Sequence, residues 1–167
     1  MPPETVAAIV LLRLARELRQ EIITLRNITE DVARVGPAVG ADFEALSSRA
    51  VRVHAWYTCL EATFERISRV LEGAIPAGAT SHRDLLRQMT LDLPPVRGAV
   101  VRPELFPDLA DLLGFRHFFR HAYTLDYRAD DIESSRSRLT RVAPDVLADL
   151  GAFCETLEAQ ARAGLGG

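Results

Sequence analysis

The sequence predicts an all-α protein, an antiparallel bundle of five to six helices, and three observations lead to that prediction. Apolar residues recur at steps of three and four over long stretches, the period of a helix packed on one face. The 167 residues include only 10 glycines and 9 prolines, so little breaks these stretches into short strands. Hydrophobic residues make up 48% and charged residues 26%, which is typical of a folded domain. We expect one helical domain over residues 1–163 and a flexible tail over residues 164–167.

Two long helices are predicted in the first half of the chain. The first runs from residue 5 to about residue 35, where Gly36-Pro37 ends it. Asp42 is the expected cap of the second helix, which runs to about Leu71. Their apolar stripes consist of Val6, Ile9, Val10, Leu14, Leu18, Ile22, Leu25 and Ile28 in the first helix, and of Phe43, Leu46, Ala50, Val53, Tyr57, Leu60, Phe64, Ile67 and Leu71 in the second.

A short helix and an irregular link follow. After a loop over residues 72–80, Ser81 starts the third helix and forms a capping-box-like pair with Asp84. Residues 91–103 contain three prolines and a glycine, so we expect a link without regular structure there.

Two further helical stretches complete the bundle. The fourth helix begins near Pro103, a favourable residue for a first turn, and runs to about Leu125. Asp130 or Asp131 caps the last stretch. Pro144 falls inside that stretch, so a kink or a break is expected there.

The charge of the chain limits where an anion could bind. All twenty basic residues are arginines, whose planar guanidinium groups suit phosphate and carboxylate. The formal net charge is -3, which excludes a uniformly basic coat protein for nucleic acid. Any anion site must therefore be local.

Several other classes of protein are disfavoured. Cys59 and Cys154 lie far apart in apolar helical patterns, and neither has a second Cys or His at zinc-ligand spacing, so we expect two reduced core thiols. The N-terminus lacks a signal-peptide pattern, and no apolar run approaches the ~18 residues of a membrane span. The expected location is the cytoplasm, without membrane contact.

The stretch from Phe115 to Tyr123 concentrates the chemistry. We assign Arg116, His117, Arg120 and His121 to one polar face of the fourth helix, with Tyr123 at its boundary. No acidic residue interrupts this stretch between Asp111 and Asp126, which makes a local anion site plausible. The opposite arc is assigned to the core and comprises Leu105, Leu109, Leu112, Phe115, Phe118, Phe119 and Ala122.

Such a cluster suits RNA cleavage through the neighbouring 2′-hydroxyl. Arginine can hold a phosphate and stabilise charge that grows on it. Histidine can take a proton from the 2′-hydroxyl or give one to the leaving oxygen, and a tyrosine hydroxyl can accept a covalent group. This reaction needs no metal and no cofactor, so none is expected. A single helix carries too few groups to enclose a phosphate, so a symmetric dimer would complete the site.

Single residues of these patterns also have other interpretations. Each charged residue taken alone is more often a solvated surface group. His117 and His121 could bind a metal, but no third ligand lies near them in sequence. His54 and Cys59 could form a catalytic pair, but their spacing places them on different faces of a helix.

The spacing of Arg116, His121 and Tyr123 resembles the Arg-x4-His-x-Tyr motif of the HEPN superfamily, and the match is closest to the HepT-like ribonuclease toxins. Three flanking segments also resemble that family. They are Phe115 to His121, the pattern of Tyr57, Glu61 and Phe64, and the segment Ser81-His82-Arg83-Asp84-Leu85-Leu86. One departure is Ala122, where many members have a polar residue after the histidine.

The resemblance implies a HEPN-like bundle that dimerises through the motif helix and forms a composite ribonuclease site. It implies that Arg116 and His121 are the catalytic pair. Arg120 and His117, which we assign to the same face, would widen the anion site as auxiliary RNA-binding groups. The resemblance further implies that Tyr123 is modified with AMP by an MntA-like nucleotidyltransferase antitoxin, which would silence the toxin by adding charge and bulk. The implied substrate is RNA, with tRNA the expected target.

Two other functions fit the same residues. The chain could be a catalytically silent HEPN module that holds a minimal nucleotidyltransferase without cutting RNA. It could also be a helical interaction protein whose arginine and histidine face is merely solvated. Growth arrest on expression without the neighbouring gene would separate the toxin from both.

Overall fold

A computed structural model describes residues 2–35, 43–121 and 128–166, with His121 described by its backbone alone. Five α-helices and one short 3-10 turn form the described part of the chain, which confirms the all-α prediction. The helices are α1 (Pro3–Arg34), α2 (Phe43–Leu71), α3 (Ser81–Met89), α4 (Phe106–His121) and α5 (Ala129–Leu165), and the 3-10 turn is Pro103–Leu105. The expected cap Asp42 lies outside the described residues, as does the chain from residue 122 to 127.

The three long helices build the core. The most extensive packing joins α1 to α5, and α2 packs against both. Their stripes of leucine, isoleucine and aromatic residues meet in one continuous buried cluster, as expected for a bundle whose helices each bury one apolar face. The indole N–H of Trp56, a fully buried residue of α2, donates to the hydroxyl of Thr29 on α1 at 3.0 Å. This bond satisfies the polar atom that burial would otherwise leave without a partner.

The two shorter helices lie against α2. Both α3 and α4 contact α2, and they also contact each other. Leu85, Leu86 and Met89 of α3 are buried, which fixes the side of α3 that faces the core. Helices α2, α3 and α4 therefore contact one another.

The link between α3 and the 3-10 turn has no helix, as predicted, and Arg97 holds it in place. The Arg97 guanidinium is buried and bonds to the Glu72 carboxylate, with Nε to Oε1 at 2.7 Å. It also donates to three backbone carbonyls, those of Gln88, Leu91 and Gly98, each at 3.0 Å. A side chain thus supplies the hydrogen bonds that a helix would supply internally.

Three details differ from the sequence-based expectations. The start of α1 is less buried than its pattern suggested, since Val6, Ile9 and Val10 are all more than two-fifths exposed. Thr80 occupies the N-cap position of α3, but its side chain makes no hydrogen bond to the backbone of the first turn. The Thr80 hydroxyl bonds the Asp84 carboxylate instead. The capping-box interaction proposed for Ser81 is therefore not formed.

A kink or a break was predicted at Pro144, and the break is not found. Helix α5 runs without interruption from Ala129 to Leu165. Pro144 is exposed, whereas Ala143 and Val146 beside it are buried against the other helices. Proline cannot donate one of the backbone hydrogen bonds of the helix. Burial of its two neighbours stabilises the helix in spite of this loss. Helix α5 also includes residues 164 and 165 of the segment assigned to a tail.

Among the described residues, no helix combines the length and the apolar character that crossing a membrane requires.

Candidate functional site

Arg116 is buried in the bundle, with a relative exposure of 6%. The prediction placed it on the solvent face of α4, and this was wrong. At about 100° per residue, Arg116 falls between Leu109 and Leu112, in the middle of the leucine stripe. The prediction followed residue type, which favours solvent for a charged side chain. Helical spacing instead directs the Arg116 side chain toward α2.

Glu61 of α2 compensates the buried charge. Its Oε2 lies 2.5 Å from Nη2 of Arg116, and the two side chains are 6% and 7% exposed. Glu61 itself sits in the apolar stripe of α2, four residues after Tyr57 and three before Phe64. The motif helix is free of acidic residues in this stretch, yet the fold brings a carboxylate to its arginine from another helix. Glu61 was noted only as part of a sequence resemblance, and no role was assigned to it.

The same carboxylate holds a histidine of α3. Oε1 of Glu61 lies 2.6 Å from Nδ1 of His82, whose side chain is 31% exposed. The His82 ring packs edge to face against the ring of His117 on α4, with centroids 5.1 Å apart. Glu61 therefore ties together α2, α3 and α4 at one point.

Buried polar atoms of Arg116 and of two residues of α2 have no hydrogen-bond partner within the described residues. They are Nε and Nη1 of Arg116, Nε2 of His54 and the hydroxyl of Thr58. An unpaired buried donor costs about 1–3 kcal/mol, so a group of them in one place calls for an explanation. A ligand that brings acceptor oxygens is one such explanation.

His54 on α2 lies beside this cluster. Its ring packs on Phe119 of α4, with centroids 4.7 Å apart. Burial lowers the pKa of His54 below the ordinary 6.5, and the positive charges of Arg116 and Arg120 lower it further. His54 is thus held in its neutral form next to the motif arginine.

Tyr57, one turn before Glu61, is fully buried. Burial raises the pKa of its phenol, the Glu61 carboxylate raises it further, and Arg116 acts in the opposite direction. Its hydroxyl stays protonated at any pH the protein would meet.

The remaining predicted site residues are placed as follows. Arg120 is exposed, and His117 is half-buried at the surface next to His82. His121 ends α4, with its side chain outside the description, and Tyr123 lies outside the described residues. The structure therefore brings Arg116 and His117 to one cluster and leaves the geometry of His121 and Tyr123 undescribed.

Phe118 is not part of the core, contrary to the prediction. It is 51% exposed, whereas Phe115 is buried and Phe119 packs partly against the core. On α4 it projects about 200° away from Arg116, which is the opposite side of the helix. Phe118 and Arg116 have exchanged the roles that their residue types suggested.

In the part of the chain that is described, no three His, Cys, Asp or Glu side chains lie together in a way that could hold a metal ion. Cys59 contacts the Glu21 carboxylate, and burial followed by that charge raises the pKa of its thiol to about 12. A thiol that remains protonated is a poor nucleophile.

Comparison with known proteins identifies a family. A sequence model of the family described as "HepT-like protein" matches residues 48–157, well over half of the chain, including Glu61, His82 and Arg116. Neither a curated protein nor a solved structure matches the chain. On the family match, the chain belongs to the HepT-like proteins of the HEPN superfamily.

Proposed function

We propose that this HepT-like protein is a metal-independent endoribonuclease toxin. The observation that carries the proposal is the state of Arg116, a buried motif arginine with one nitrogen bonded to Glu61 and two donor atoms unpaired. Phosphate oxygens are the acceptors that such a guanidinium binds best. The family match supplies the context in which this arginine would serve RNA cleavage.

Arg116 would hold the scissile phosphate and stabilise the charge that develops on it. Its unpaired atoms are covered by protein, so phosphate reaches them only after the covering groups move or the guanidinium swings outward. Glu61 would then act as a resting partner that positions Arg116 and keeps its buried charge compensated. His121 would serve as general acid or general base.

The surface beside Arg116 suits a polyanion. Arg120 is exposed and makes no ion pair with any described residue, while His117 lies half-buried near it on α4. These groups would extend the phosphate site as auxiliaries. Because the chain is acidic overall, such a patch would direct RNA to this one region.

The proposal includes the partners that the resemblance implies. A homodimer through α4 would bring two copies of the motif together and complete the enclosure of the phosphate. An MntA-like nucleotidyltransferase antitoxin would transfer AMP to Tyr123. The added negative charge would oppose RNA binding by repulsion near Arg116. The expected substrate is tRNA.

One observation favours a second function, a silent module that holds a nucleotidyltransferase without cutting RNA. Arg116 is buried and paired with a carboxylate, which is also the state of a purely structural arginine. The unpaired donor atoms weigh against this alternative, since a structural arginine is normally fully bonded.

Cleavage of bulk tRNA by the purified protein in EDTA tests the proposal, with His121→Ala as the comparison. Protein mass is measured first, to exclude AMP adducts carried over from the expression host. We expect the wild type to cut and the variant to be inactive, and expression without the antitoxin to arrest growth. Intact tRNA after long incubation with unmodified wild type would favour the silent module.

A further inference from the structure

His82 and Glu61 form a carboxylate–histidine pair that the motif does not include. Glu61 accepts a bond from the permanently charged Arg116, so its carboxylate is ionised and can only accept. The Nδ1 atom of His82, 2.6 Å from the other oxygen, must therefore be the donor. In the neutral ring this places the proton on Nδ1 and the lone pair on Nε2.

The carboxylate of this pair is buried, whereas the imidazole is partly exposed to solvent. Glu61 is 6% exposed in its side chain, whereas His82 is 31% exposed. A buried carboxylate bonded to one ring nitrogen fixes the orientation of the half-exposed imidazole, as in the carboxylate–histidine pairs that position a catalytic ring.

The location ties this imidazole to the proposed site. Glu61 contacts His82 and Arg116 with its two oxygens, so the histidine and the phosphate-binding arginine share one anchor. The His82 ring also touches His117, which precedes His121 by one helical turn on α4. His82 and His117 thus lie together near the C-terminal end of α4, the helix that carries the motif.

We propose that His82 is the general base of RNA cleavage in this protein, a role that rests on the proposed function. Nε2 of His82 takes the proton of the ribose 2′-hydroxyl as the 2′-oxygen attacks phosphorus. The new bond is O2′–P and the broken bond is P–O5′, with Arg116 stabilising the phosphate charge. His121 donates a proton to O5′, which leaves as the 5′-hydroxyl, and the other product is a 2′,3′-cyclic phosphate. Proton exchange with water then resets both rings.

The role separates His82 from His121 in a measurable way. A general acid matters less when the leaving atom needs no proton, as when sulfur replaces the bridging 5′ oxygen of a dinucleotide. A general base is needed equally for both substrates, because the 2′-hydroxyl is unchanged. A residue that merely supports the fold would also affect both substrates equally. Its conservative replacement, however, would keep activity, whereas the replacement of a general base would not.

The experiment compares both dinucleotides with wild type, His82→Asn and His121→Ala. Asparagine keeps a donor at the position of Nδ1, so the bond to Glu61 and the fold are retained while the basic Nε2 is lost. We expect His82→Asn to lose about 10²–10⁴-fold on both substrates. We expect His121→Ala to lose a similar factor on the oxygen substrate and to recover most of it on the sulfur substrate. Asp84→Asn, an exposed change on the same helix, should behave as wild type.

Each outcome decides between named alternatives. Wild-type rates in His82→Asn would overturn the role of His82 and leave the proposed function standing. Recovery of His82→Asn on the sulfur substrate would make His82 an acid and would likewise overturn the proposal. No cleavage by the wild type would overturn the proposed function and the role of His82 with it. If His82→Asn unfolds on heating well before the wild type, His82→Gln gives the same comparison with a different hydrogen-bonding length.

Discussion

Two buried arginines in this protein have opposite surroundings. Arg97 bonds the Glu72 carboxylate and three backbone carbonyls, and none of its donor atoms is among the unpaired ones. Arg116 bonds a single oxygen of Glu61 and has two buried donor atoms unpaired. Both pairs are almost fully removed from water, so burial alone does not distinguish them.

The difference shows which arginine has a structural task. Arg97 bonds one carboxylate and three backbone carbonyls, so its donor groups already serve the fold. Arg116 keeps unused hydrogen-bonding capacity at a cost in stability, which is the pattern expected where a ligand completes the set. Four measurements test this difference between Arg97 and Arg116.

The largest expected effect follows the change Arg97→Met. It leaves the Glu72 carboxylate without its cation and removes one donor from each of three carbonyls, so we expect a loss of about 3–5 kcal/mol in the free energy of unfolding. Urea unfolding measures this loss, and Arg87→Met, an exposed change on α3, is the control. Equal midpoints for Arg97→Met and wild type would show that the link does not depend on this arginine.

A slightly smaller effect, on activity rather than stability, is expected for Arg116→Lys. Lysine keeps the positive charge for Glu61 but lacks the planar set of donors, so cleavage should fall by roughly 10²–10³-fold. Initial rates on tRNA give the factor, beside Arg34→Lys at the exposed end of α1. An unchanged rate would remove Arg116 from the phosphate site.

The third measurement replaces each ion pair by apolar residues. Glu61→Leu with Arg116→Met removes two unpaired donor atoms together with the charges, so we expect a stability within about 1 kcal/mol of wild type, or above it. Glu72→Leu with Arg97→Met removes a donor from three backbone carbonyls and should be less stable than wild type. Similar melting temperatures for the two double variants would refute the distinction between the pairs.

The smallest expected effect concerns pH and His54. Its pKa is lowered in the fold by burial and then by the two arginines, so the unfolded chain binds a proton more readily. Its contribution to stability is therefore complete above the unfolded value of 6.5 and is lost as pH falls below 6.5 toward the lowered pKa. The melting temperature should drop less in His54→Gln than in wild type between about pH 7.5 and about pH 5.5. An identical drop would mean that His54 is not held neutral by the fold.

Much of the architecture was predictable because it depends on local patterns. The steps of three and four residues located all five α-helices, and the prolines and glycine of the link marked the segment that Arg97 supports. Helical spacing alone would also have predicted that Arg116 is buried, because it lies between two leucines of the stripe. Its charge suggested an exposed position instead. The continuity of α5 across Pro144 was not predictable in this way, since it rests on contacts with other helices.

The candidate site was less accessible to sequence reasoning. Glu61 and His82 lie 55 and 34 residues before Arg116, and only packing of three helices brings them together. One sign was present, an acidic residue inside the apolar stripe of α2, which requires a buried partner. The identity of that partner is a long-range fact, and periodicity carries no information about it.

The single tryptophan gives the bundle a built-in optical reporter. Trp56 is fully enclosed and bonded to Thr29, so its emission should be shifted to the blue in the native state and to the red when α1 separates from α2. No second indole contributes to the signal. Substitutions on α4 that leave this emission unchanged can therefore be assigned to local chemistry, without any label, in the same cuvette in which cleavage is followed.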